Sequence, residues 1–312
     1  MNHVDMYRIS DSENDTTPLA TWLVITPQGP LPTVGSPTQG LQEAINYATT
    51  HGYDLRVWGG GIANKNCQDV AIISCTEPIV IPPIQGIDFD IHATINFGGP
   101  NPGAAAVCFD SIMASTIRWA GQIVCAPGWG DGVVFQPHSS LPNDTQAGAC
   151  ITANIISLPS IIKSTNDGAC VVFDASQGAI SGNVIHIMEP NGFATGILVE
   201  AGATTCFDGN HIIVRECHGQ VCGINAGIST TNARQIFSNT WNVAVNPKSV
   251  GVEIFGDHEH WIIAVDDREG IPQTGITLNP GASHNIVQML RNDAVNKIND
   301  ASGNATNQIC MP

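Results

Sequence analysis

The densest run of side chains able to do chemistry is Asp257-His258-Glu259-His260-Trp261. A second cluster comprises Asp208, His211, Arg215, Glu216 and His218, and a third is Asp266-Asp267-Arg268. Two carboxylates flanking a glycosidic bond can divide acid and base work when their separation and pKa values differ suitably. Glu259, Asp257, Asp208 and Glu216 are therefore the candidate catalytic residues, and His258, His260, Arg215 and Trp129 the candidate substrate contacts. Glu259 is expected at a solvent-open cleft with another carboxylate roughly 5 to 9 Å away. The bland alternative is a set of solvated turns: Asp208 precedes a strand and Glu216 follows it, so at most one of them stands near any one strand end.

Stepping outward, these residues sit within a recurring phrase: Gly132-Val-Val-Phe135, Cys170-Val-Val-Phe173, Gly196-Ile-Leu-Val199, Gly223-Ile-Asn-Ala226, Gly251-Val-Glu-Ile254 and Gly275-Ile-Thr-Leu278. Successive starts are 38, 26, 27, 28 and 24 residues apart, and Ala106-Val-Cys-Phe109 extends the series backwards by 26. A second phrase interleaves with it, opening on Asn183, Asn210, Asn239 and Asn285. Two short period-two strands per repeat describe a solenoid, because one repeat cannot bury enough apolar surface to offset its own ordering entropy and stacked repeats can. The expected fold is all-β, a single-stranded right-handed parallel β-helix. The four asparagines should stack in one column and satisfy buried backbone groups. Aligning Trp261 with Trp241 puts Glu259 in that column, which marks it either as a functional departure or as the result of a shortened turn.

Residues 1–36 lack sustained periodicity and read as an extended arm or lead-in segment, with the β-helix domain over 37–312. Apolar spacing from Leu41 to Ala48, with Gly52 beyond, predicts one short helix that caps the first repeat. The insertion between Phe135 and Cys170 is expected to protrude as a loop, and residues 290–312 to form a closing turn and tail. Trp119 and Trp129 are expected to be exposed.

Composition narrows the partners. Of 312 residues, 11 are Lys or Arg and the net charge is −16, so the basic stripe that nucleic acid or an anionic membrane needs is missing. The same acidity ranks hydrolysis or glycosyl transfer above elimination, for which only Arg118, Lys163, Arg215, Arg234 and Arg268 could supply a central base. His258 and His260 alternate along a strand, but no third ligand at characteristic spacing completes a metal site. No cofactor is expected, although Asp- and Asn-rich turns offer the hard oxygen ligands that calcium takes. Cysteines inside strand phrases should pack as small apolar residues, while Cys67 with Cys75 and Cys217 with Cys222 are close enough in sequence for short-loop disulfides. Sequons occur at Asn14, Asn143 and Asn304. No export-signal progression is visible near Met1, and an extracellular or virion-associated place is expected. A self-associating chain, most simply a trimer, follows from the acidic body and the arm.

The segment Gln42-Glu-Ala-Ile-Asn-Tyr-Ala48, then Gly52 and a strand, then Pro78-Ile-Val-Ile-Pro-Pro83, resembles the opening of the pectate-lyase-like β-helix superfamily. That group includes polysaccharide lyases, glycoside hydrolases, inulin fructotransferases and phage tailspikes. The resemblance implies a polysaccharide or oligosaccharide ligand and either glycosidic-bond chemistry or a non-catalytic role as spike, adhesin or assembly subunit. No family-specific catalytic signature is present to carry over.

Overall fold

The computed structural model describes residues 3–9, 21–58, 72–99, 101, 103–142, 148–163, 165, 167–226, 235–268 and 270–311. Cys67, Arg234, Asn14 and Asn143 therefore lie outside the described residues. The described chain is all-β with long parallel sheets and one helix: 23 strands join in one sheet and 6 in another.

The periodicity of the sequence appears directly as register. Ile79 pairs with Val107, Val107 with Val133, Val133 with Val171, Val171 with Ile197, Ile197 with Ile224, Ile224 with Val252, Val252 with Ile276 and Ile276 with Ile298, all in parallel strands. Each partner comes from the next repeat, so identical phrases stack like on like. From Ile79 to Ile276 every member of this column is fully buried. A second column runs through Phe89, Ile117, Ile156, Ile185, Ile212, Trp241, Trp261 and Val287. The six-stranded sheet supplies a third, of Ile84, Ile112, Ile151, Ile180, Phe207 and Ile236. Rings add a lengthwise stack, Phe109 on Phe135 on Phe173 at 4.7 and 5.1 Å.

Polar continuity comes from the asparagines. Asn183, Asn210, Asn239 and Asn285 are at most 1% exposed and form the expected column, extended by Asn154 before it and Asn307 after it. The bonding is directional. Asn210 Oδ1 accepts from both the backbone N and the Nδ2 of Asn183, at 3.1 and 2.9 Å, and Asn210 Nδ2 donates to Asn239 Oδ1 and to the carbonyl of Ile180. The residue before each member from Asn154 to Asn285, Glu259 included, turns the chain through the left-handed region: Ala153, Gly182, Gly209, Ser238, His258 and His284 have φ between 53° and 65°. Glycine fills only two of these six places, so the turn is imposed by the bonds on either side of it and not by a permissive residue.

Four expectations are corrected. The arm is part of the stack: β1 (His3–Ile9) pairs antiparallel with β2 (Thr21–Thr26), which pairs with β3 (Gly29–Leu31). After the helix α1 (Leu41–His51) comes β4 (Asp54–Trp58), and β1 lies parallel to it. Val4, Met6 and Trp22 supply the apolar surface that holds these strands down, so this segment covers an edge of its own chain's sheet. The span between Phe135 and Cys170 is not one loop, because Cys150–Thr152 and Ile155–Lys163 within it are strands of the stack. Its near part is pinned to the body by Asp110 Oδ1, which accepts from the backbone N of His138 and Ser139, and by the burial of Leu141. The tail continues the pattern as strands Asn296–Asp300 and Gln308–Cys310. Finally, Cys217 and Cys222 are separate buried thiols and not a disulfide, their Sγ atoms donating to the carbonyls of Gly223 and Ile224.

Helix α1 occupies the expected place, with Leu41, Ala44, Ile45 and Ala48 fully buried and Gly52 (φ 67°) closing it. Its Gln42 amide donates to Val80 O and accepts from Val80 N, standing in for a neighbouring strand at that edge. Replacing Asn210 with Ala orphans the backbone N of Asn183 and the carbonyl of Ile180. Urea denaturation should therefore register a loss of about 1 to 3 kcal/mol; an unchanged midpoint would mean these groups are not desolvated.

Candidate functional site

Glu259 is the fifth member of the ladder, after Asn154, Asn183, Asn210 and Asn239, and is closed to solvent, 1% exposed. This corrects the expectation of an open cleft. Its repeat is shortened, 20 residues from Asn239 against 29 and 27 for earlier steps, yet it makes the ladder contacts. Oε1 accepts from the N and Nδ2 of Asn239, at 3.3 and 2.8 Å, and its own backbone N donates to Asn285 Oδ1 at 2.9 Å. The second oxygen explains the residue type. Oε2 accepts from Trp241 Nε1 at 2.7 Å, and Trp241 stacks face to face on Trp261 at 4.6 Å. An asparagine here has one acceptor oxygen on a shorter stem, and the indole N–H would stay unpaired. Trp261 shows that outcome: it is followed in the ladder by Asn285, and its Nε1 has no partner among the described residues. Burial pushes the Glu259 carboxyl up to about 8, against the bonds from Asn239 and Trp241 that favour its charged form.

The other nominated residues disperse. Trp129 is 1% exposed and packs edge-on against Phe97 at 5.1 Å, so it offers no platform to a ligand. Trp119 is likewise buried, and of the six tryptophans only Trp58, 40% exposed and stacked on His92, presents a face. Asp208 takes a bond from Cys206 Sγ on the six-stranded sheet. Glu216 belongs instead to a charged row crossing several repeats: its Oε1 is 2.8 Å from Arg268 Nη1 and 3.4 Å from His218 Nε2. Arg268 also meets Asp266, and Arg291 meets Asp266, Asp267 and Asp293. Such surface pairs contribute little each, and the carboxylate trio Asp266, Asp267 and Asp293 already faces Arg291. Arg215 and His260 are exposed, His260 in register with Thr240 and Ile286. His258 sits on the ladder turn and faces His284, not His260. Asp257 is held below the ordinary carboxylate range: its partial burial opposes ionisation, and bonds from Ser283, His284 and His258 outweigh it.

A carboxylate pair that the motif reading passed over lies on the outer face of the long sheet. Asp174 and Glu200 are partners in register on adjacent parallel strands, a spacing of about 4.8 Å between backbones. Both alternate with the core residues Phe173 and Val199; Asp174 is itself buried, 9% exposed, whereas Glu200 is half-buried. Asp174 accepts from Ser176 N at 2.9 Å and Gln136 Nε2 at 2.5 Å. Glu200 is shifted above its ordinary range by burial first, then by the charges of Asp174 and Asp131. Farther along the same face Asn225 Nδ2 donates to Glu253 Oε2 at 2.8 Å, and burial raises Glu253 as well. The signal was present in the sequence: Asp174 and Glu200 stand at the same offset, four residues after Cys170 and Gly196.

No family model, curated protein or solved structure gives a significant match to this chain. The chemistry must be argued from the site. A proton-retaining carboxyl beside a hydrogen-bonded carboxylate is the arrangement that lets one acid donate while its neighbour attacks or activates water. For Glu259 the expectation is thermodynamic. Its folded pKa lies above the ordinary 4.5, so it contributes stability that is fully present below 4.5 and lost as pH rises through about 8. Glu259→Gln should flatten that slope in denaturant titrations between pH 5 and 8 while leaving circular dichroism unchanged. A slope identical to that of the unmodified chain would show that Glu259 is not the group responsible.

Proposed function

We propose that the chain is a right-handed parallel β-helix of the pectate-lyase-like kind, and that it cleaves or transfers glycosidic bonds on the outer face carrying Asp174 and Glu200. Support for the architecture is the uninterrupted like-on-like register from Ile79 to Ile298. What carries the chemistry is the pair itself, two carboxylates in register, with the acidity of Glu200 depressed by burial first and then by the charges of Asp174 and Asp131.

In this reading Glu200 holds its proton and passes it to the departing glycosidic oxygen. Asp174, kept in place by Gln136 and Ser176, attacks the anomeric carbon as the carbon–oxygen bond breaks. Glu200, now ionised, then takes a proton from water, whose oxygen displaces Asp174 and restores both groups. Side chains on neighbouring strands suit the roughly 5 to 5.5 Å separation of the retaining course more than the wider inverting one. Asp131 and Glu253 make the face acidic, which favours a neutral glycan over a polyuronate. The bases needed for elimination are engaged or elsewhere: Lys163 is buried against Asp167, Arg268 is paired with Glu216, and Arg118 and Arg215 stand on strands that follow the ladder.

A second reading, a non-catalytic glycan-binding or assembly subunit, is favoured by one observation: the conspicuous carboxylate Glu259 serves the interior. Self-association as a trimer remains part of that reading. Reducing-end assays on neutral and acidic polysaccharides separate the two. Glu200→Gln and Asp174→Asn should each lower turnover at least about 100-fold with the fold intact, the scale of a lost acid or nucleophile. Turnover should also fall as pH rises through the elevated Glu200 pKa. Glycan binding without cleavage in the unmodified chain would establish the second reading.

A further inference from the structure

The ladder turn one residue before Glu259 differs from its neighbours in what it presents to solvent. The equivalent positions are Ala153, Gly182, Gly209 and Ser238 on one side and Thr306 on the other, but His258 and His284 occupy two consecutive repeats. The parallel bridge between Asp257 and Ser283 sets the alignment, and His258 N donates to Ser283 O at 3.0 Å. Both histidines take the left-handed conformation, φ 54° and 53°, which turns their rings outward in the same sense. The rings stack at 4.5 Å with 12° between their planes, and their side chains are 59% and 50% exposed.

Asp257 completes the group. Its Oδ2 is 3.0 Å from His258 Nδ1 and its Oδ1 3.1 Å from His284 Nδ1, and one donor atom from each residue falls within 4.8 Å of the others. Ser283 Oγ, 2.6 Å from Oδ1, steadies the carboxylate from behind. We infer that Asp257, His258 and His284 form a surface site for a divalent transition-metal ion of the zinc class, bridging two repeats. Zinc bonds to imidazole nitrogen and carboxylate oxygen of about 2.0 to 2.2 Å place tetrahedral ligands roughly 3.3 Å apart. The two nitrogen-to-oxygen distances are already close to that. Without metal both imidazoles donate N–H to the same carboxylate; an ion replaces those two protons and leaves its remaining position open to water. Two imidazole nitrogens select zinc, cobalt, nickel or copper over calcium or magnesium, which take oxygen. The site stands on the ladder turn and not on the Asp174 face, so it is independent of the glycan reading.

The test uses the full chain, stripped of metal, with Co2+ and Zn2+ as probes. Calorimetry should show one saturable site for Zn2+, and added Zn2+ should raise the unfolding temperature, since an ion that binds only the folded chain stabilises it. Bound Co2+ should give visible bands without a thiolate charge-transfer band. His258→Asn and His284→Asn keep a residue that accepts the left-handed turn; each should weaken binding at least about tenfold and abolish the thermal shift, with metal-free unfolding unchanged. No saturable binding, binding equally tight in both variants, or a thiolate band pointing to cysteine ligands would each overturn the assignment. Should either Asn variant unfold early, Asp257→Asn, which retains hydrogen-bonding capacity for Ser283, must show the same loss for the assignment to stand.

Discussion

Each buried amide in the ladder both receives from the repeat before it and gives to the repeat after it, and the remaining architecture is organised around that exchange. Apolar columns alone would tolerate slippage, because Val, Ile and Leu pack on one another in many offsets. A side-chain oxygen that must meet a backbone N and an amide at about 3 Å admits one offset, and a buried group left unpaired costs on the order of 1 to 3 kcal/mol. The ladder thereby holds the register that puts Ile on Ile and Phe on Phe. It also absorbs variation in repeat length: the steps of 29, 20, 26 and 22 residues all return to the same contact. Insertions and deletions are discharged into the outer connections.

Glu259 shows how a local demand is met inside this constraint. The stacked indoles of Trp241 and Trp261 fill the interior where the repeat is shortest, and their width brings an N–H donor to the ladder. A second acceptor oxygen answers it, at the cost of a carboxyl whose ionisation is opposed by burial. The departure from asparagine is a packing solution. The proposed chemistry uses instead Asp174 and Glu200, partners in register on consecutive repeats, where burial and then the charges of Asp174 and Asp131 raise the Glu200 carboxyl.

Much of the fold was legible in the sequence because period-two phrases are local and repeat. The Gly132, Cys170, Gly196, Gly223, Gly251 and Gly275 phrases all became strands in the expected mutual register. Asn154 and Asn307 escaped because the first lies within the span read as a protruding insertion and the second within the span read as a closing tail. The arm was misjudged for a related reason: Val4, Met6 and Trp22 are few, and only the partner strand β4, far along the chain, makes them core. The site was less legible. Trp129 sits in a Gly-rich turn that suggests exposure, yet Phe97 from an earlier repeat covers it. Whether Glu259 turned inward depended on Trp241, 18 residues away, and the acidity of Glu200 depends on its burial and then on Asp174 in another repeat. Interactions between repeats decide burial and charge, and a motif read along one strand does not contain them.

The central claim is that the carboxyl the sequence makes conspicuous belongs to the interior, whereas the one that meets ligand lies outside. Nuclear magnetic resonance of side-chain carboxyl carbons, titrated with and without a saturating oligosaccharide, tests it most directly. The account predicts that Glu259 titrates near 8 and is indifferent to the ligand, while Glu200 titrates above the ordinary range and shifts when the ligand binds. A Glu259 signal that titrates as a free carboxylate, or that moves with ligand while Glu200 does not, would contradict it.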